Sequence, residues 1–142
     1  MKKFDKKIKP LQGLQRFFAY ATVKLPITAA IDENPLLDGV TFSGGEPMCQ
    51  PEAFLNLARE IKKRNLNIVI YTGFTFEELQ EKAKTNDAVR QLLQLTDLLI
   101  DGPFVQKQRD LTLLFRGSSN QRVIDMKQTL EEGKICLAEK YL

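Results

Sequence analysis

The stretch DGVTFSGGEPMCQPEAFLNLAREIKKR, residues 38–64, decides the fold. Val40-Thr41-Phe42 is a short β-favouring run that climbs directly into Ser43-Gly44-Gly45-Glu46. Pro51 then opens a segment whose Phe54, Leu55, Ala58 and Ile61 fall on one helical stripe. A strand, a glycine turn and an amphipathic helix in that order form the first part of a βα unit. They also leave a carboxylate beside exposed backbone at the turn.

Downstream the pattern repeats. LNIVIYTG, residues 66–73, is a β-branched apolar run ending in glycine, and Thr75-Phe76-Glu77-Glu78 has the Thr-x-x-Glu form of a capping box. A helical stretch carries Val89, Leu92 and Leu93, and TDLLIDG, residues 96–102, reads as a third buried strand. Strands alternating with helices at nearly even spacing predict βαβ units and a parallel sheet. Strands this apolar are expected to be covered on both faces. A polar loop, RGSSNQR at residues 116–122, precedes β-like VID and KICLAE segments around a short helix. Upstream, LQRFFAYATVKLPITAA (residues 14–30) lacks a clean period and is interrupted by Pro26, consistent with a helix followed by an extended piece. The chain therefore divides into a basic N-terminal segment, residues 1–33, and a βα domain, residues 34–142.

A chain of 142 residues can bury roughly 68–70% of its unfolded surface, enough for a real core. The first ten residues carry a net +4 from their side chains, leaving the other 132 at −1. A basic tail on a near-neutral body, with no nucleic-acid motif, predicts no nucleic-acid partner. No run of about 18 apolar residues occurs, and the lysine-led start lacks the apolar region and cleavage site of a leader. The expected location is cytoplasmic, without a membrane partner. Histidine is absent, which removes the commonest general base and transition-metal ligand. The two cysteines, Cys49 and Cys136, have no ligand spacing and read as small packed residues.

Ligands of open parallel sheets bind at the carboxyl ends of the strands. There the sequence places Ser43, Gly44, Gly45 and Glu46 after the first strand, Tyr71-Thr72-Gly73 after the second, and Asp101-Gly102 after the third. Glycine lets backbone approach a ligand, Glu46 suits an amine or hydroxyl, and Asp101 suits a ribose hydroxyl or a cation. Neither a dinucleotide fingerprint nor a phosphate-cradling loop is present. No nucleophile has an activating base, so no catalytic residue is assigned. RGSSNQR is equally consistent with a grip on an anion or partner and with a polar surface turn.

Taken together, DGVTFSGGEP, QPEAFLNLAREIKK, IVIYTGFTFEEL, LLIDGPF and RDLTLLFRGSSNQRVID resemble the radical S-adenosylmethionine activating enzymes of glycyl-radical proteins. The branch they resemble serves anaerobic ribonucleoside-triphosphate reductase. The resemblance implies an oxidoreductase built on a partial βα barrel of parallel strands, with that reductase as partner. S-adenosylmethionine would bind at the strand ends, its amino group at Gly44, Gly45 and Glu46, with Thr72, Gly73 and Asp101 toward its ribose or a nearby cation. It also implies a [4Fe–4S] cluster on a C-x-x-x-C-x-x-C loop, used to cleave S-adenosylmethionine and generate a glycyl radical on the partner.

This sequence departs from that pattern. No cysteine precedes Gly44, and the two present cannot supply three thiolates, so no metal ligand is assigned. The expectation is a barrel truncated on its N-terminal side and an activase inactive as written. The alternatives are a non-catalytic reductase- or nucleoside-binding module and one part of a split activase.

Overall fold

The computed structural model describes residues 24–142. The basic terminus, and the part of the helix-then-extended reading that precedes residue 24, lie outside the described residues. The elements in chain order are α1 (Lys24–Asp32), β1 (Gly39–Phe42), α2 (Pro51–Lys63), β2 (Asn67–Tyr71), α3 (Phe76–Thr85), α4 (Asp87–Leu95), β3 (Leu98–Asp101), β4 (Arg122–Asp125) and α5 (Met126–Glu132). Pro26 sits in the first turn of α1, where its missing N–H deprives the helix of nothing.

Four strands form one sheet in the order β1-β2-β3-β4. β1 pairs parallel with β2 and β2 parallel with β3, as the repeated βα spacing predicts. β4 is antiparallel to β3, with Asp101 opposite Arg122 and Leu98 opposite Asp125. One expectation is corrected here and another is met only in part. The sheet is not all parallel, and the coarser α/β architecture stands without the barrel: among the described residues the four-stranded sheet is not closed. The physical reason lies between β3 and β4: residues 102–121 contain only a one-turn 3₁₀ helix, Gln106–Gln108, and no crossover helix to return the chain in the parallel sense.

Successive strand residues point to opposite faces. Val40, Phe42, Ile68, Ile70, Leu99 and Ile124 join the main apolar cluster with side chains from α1 to α5. Phe42 and Phe54 meet there at 4.9 Å between ring centroids. On the other face Val69, Leu98, Ile100 and Val123 pack with Ala138 and Tyr141, which the C-terminal segment brings back over the sheet. That segment is tied down by an isolated bridge between Ile124 and Leu137, so KICLAE contributes a single bridge rather than a strand. The stripe expected on α2 is buried, and Leu57 is buried with it. The capping box at α3 is complete: the Thr75 hydroxyl accepts from the Glu78 amide, and the Thr75 amide donates to the Glu78 carboxylate.

Candidate functional site

Gly44, Gly45 and Glu46 all have positive φ, at 76°, 61° and 41°. Glycine adopts this region freely, but a glutamate there is strained by roughly 1–3 kcal/mol. The Glu46 side chain offsets that strain. Its carboxylate accepts from the Met48 amide at 3.2 Å, the Thr72 hydroxyl at 2.7 Å and the Gly73 amide at 2.8 Å. These bonds stitch the end of β1 to the end of β2, and hydrogen bonds to a charged acceptor are the stronger kind. A carboxylate offers about four acceptor positions. Three are taken, leaving one.

The second and third strand ends are joined in the same way. The buried Thr72 hydroxyl also accepts from Phe74 N, and Thr72 N donates to Ile100 O at 3.0 Å. Gly102, at φ 91°, donates its amide to Phe74 O at 2.9 Å. The result is a pocket of about 260 Å³ over the strand ends, lined by Gly44, Glu46, Thr72 and Gly73 among the expected residues. Tyr71 and Gly102 complete the strand-end wall, and Pro47, Phe104 and Gln121 also line the pocket. Burial pushes the Tyr71 phenol above its ordinary value, keeping it neutral. The volume falls below the roughly 300–1,000 Å³ of sites that enclose a drug-sized ligand, so this one suits a head group.

Ser43, Gly45 and Asp101 do not line the pocket. Asp101, with 1% of its surface exposed, is held on both oxygens by the Arg122 guanidinium. It also accepts from Phe76 N at 2.8 Å, at the start of α3. Arg122 continues to Glu77 at 2.7 and 3.1 Å, which holds the Glu77 carboxyl below its ordinary value. Asp101 thus anchors β3, β4 and α3 to one another.

RGSSNQR forms a clasp. The Gln121 amide accepts from the Gly117 and Ser118 amides and donates to Gly102 O at 3.1 Å. Asn120 donates to Pro103 O at 2.8 Å, and the fully buried Ser118 hydroxyl accepts from Val105 N. Arg116 donates to backbone carbonyls of Gln121 and Tyr141, so both guanidinium groups of the loop are used within the chain. Phe104 and Gln121 as pocket walls escaped sequence reading. No local sequence signal marks them, because their neighbours are brought by the fold: a Cβ at Gly117 would lie 2.9 Å from the Phe104 ring.

Metal donors are sparse. Among the described residues no group of three or more Cys, Asp or Glu side chains could hold a metal ion. Cys49 is exposed and Cys136 half-buried. Desolvation and the Glu132 carboxylate push the Cys136 thiol up, away from the thiolate form a ligand needs. A cluster held by three or four thiolates does not fit a chain with two cysteines and no histidine.

Residues 6–124 match a family model described as a 4Fe-4S single cluster domain. Curated relatives are anaerobic ribonucleoside-triphosphate reductase-activating proteins. That of Escherichia coli K12 is 32% identical over 111 residues, covering 69% of this chain and 68% of the relative. Those of Haemophilus influenzae and Vibrio cholerae are 36% and 38% identical over 87 residues, covering 58% of this chain. The chain spans about half the length of these two, 52% of each. No solved structure matches it.

Proposed function

This chain belongs to the family of anaerobic ribonucleoside-triphosphate reductase-activating proteins, and on that premise we propose that it is a cytoplasmic S-adenosylmethionine-binding partner of that reductase. The observation that carries the proposal is the state of Glu46. Its carboxylate is fixed from two strand ends, lines the pocket, and keeps one acceptor position. A fixed anion with one vacant acceptor position suits the α-ammonium of S-adenosylmethionine. Gly44 beside it has no atom within 4 Å of where a Cβ would stand, so a ligand can reach the backbone.

The chemistry assigned to these residues is binding and orientation. Reductive cleavage of S-adenosylmethionine needs an iron–sulfur cluster, and this donor set does not fit one. No step of radical generation is therefore assigned to the chain's own side chains.

Isothermal titration of the purified chain with S-adenosylmethionine tests the proposal. Glu46→Gln should weaken binding about tenfold, the effect of losing one charge-assisted contact of about 1.4 kcal/mol. Equal affinity in both proteins, or none in either, sinks the assignment of Glu46.

A further inference from the structure

Residues 104–114 place three large apolar side chains in solvent. Leu111 is 79% exposed, Leu114 54% and Phe104 53%. Three of the seven large apolar side chains exposed among the described residues thus fall in one loop. Phe104 belongs to the pocket wall as well.

The loop is also rigidly based. The bridge between Arg109 and Ser118 closes it, Asp110 N donates to Gly117 O at 3.1 Å, and Ser119 N donates to Gln108 O at 2.9 Å. Asp110 accepts from the amide and the hydroxyl of Thr112, which fixes the turn carrying Leu111. Exposed leucines on an ordered support lose little conformational freedom when covered, which favours binding over mere exposure. Two cations lie between Phe104 and Leu111 in the chain. Lys107 and Arg109 are exposed, and neither has an ionic partner among the described residues.

We infer that this loop is the docking surface for a polypeptide segment bearing an apolar anchor flanked by carboxylates, presented by the reductase. The inference rests on the function proposed above. It is supported by the shared wall: Phe104 lines the pocket, and the leucines and cations lie on the same loop. Apolar burial would supply affinity, while the charge match would set orientation and association rate.

The experiment measures binding of the purified full chain to the purified anaerobic reductase by biolayer interferometry, with S-adenosylmethionine titrated in parallel. Two variants are used, Leu111→Ser with Leu114→Ser, and Lys107→Glu with Arg109→Glu. Each should lose about tenfold or more in reductase affinity, while both bind S-adenosylmethionine as the unaltered chain does. Unchanged reductase affinity in both variants overturns the inference. So does a chain that binds S-adenosylmethionine but not the reductase, and so does leucine-dependent self-association without reductase binding, which would make a second copy the occupant. A chain that binds neither ligand refutes the proposed function itself.

Discussion

Glu46 and Asp101 are both carboxylates at strand ends, and their surroundings separate them. Glu46 lines the pocket with one acceptor position unused, whereas Asp101 is buried under Arg122 and the start of α3. The Arg122 contacts are correspondingly unequal. Replacing Arg122 with Met leaves the Asp101 charge buried and uncompensated, which should cost about 3 kcal/mol. Glu77→Gln removes only an exposed partner and should cost less than about 1 kcal/mol. Urea denaturation of the two variants measures the difference, and equal losses would show that Asp101 does not depend on Arg122. Glu46 was legible in the sequence as a site residue because its glycines and proline are adjacent. Its partners Thr72 and Gly73 lie 26 and 27 residues away, and Arg122 lies 21 from Asp101. A sequence without its fold does not reveal which charges will meet across such gaps.

Elements whose signals are local came through whole. The α3 cap is contained in four consecutive residues, and both of its reciprocal bonds form. Thr75→Ala should destabilise the protein by about 1 kcal/mol, read as a lower urea midpoint with unchanged slope. A change below a few tenths of a kcal/mol would mean that Asp101, bonded to the neighbouring Phe76 amide, holds the helix end without Thr75. The direction of β4 was lost because even strand spacing was extended past its warrant. Parallel neighbours need a crossover of a dozen or more residues, usually helical. RGSSNQR carries no helical period, and that absence was the available sign of an antiparallel return. The polarity of the same loop left open whether it grips a partner or forms a turn. Only the pairing of its amides with Gly102 and Pro103 identifies a clasp.

At the scale of the molecule, ion pairs join elements that the sheet does not. Arg64 holds Asp32, linking α2 to α1, and Arg122 holds Glu77, linking β4 to α3. Both carboxyls lie below their ordinary values, chiefly through their arginine hydrogen bonds. A depressed carboxyl stabilises the fold at pH values above its unfolded value and loses that contribution as pH falls through the folded one. The melting temperature should therefore hold from neutral pH down to about 5 and decline below the unfolded values of 3.8 and 4.5. Glu77→Gln should flatten that decline, and thermal melts at stepped pH check it. A decline of the same steepness in the variant would remove Glu77 from the account. Among the described residues no helix is long and apolar enough to cross a membrane.

The clasp has a consequence for motion. It is held by amides and carbonyls, and none of its residues belongs to either apolar cluster. Closed, those bonds keep the pocket wall ordered, and a rare opening of residues 116–122 alone exposes little new apolar surface while the sheet stays shut. The Gly117 and Ser118 amides would then exchange with solvent through this local opening, well before those of β2 and β3. One wall of the pocket would thus carry its own rare opening event, separate from that of the sheet.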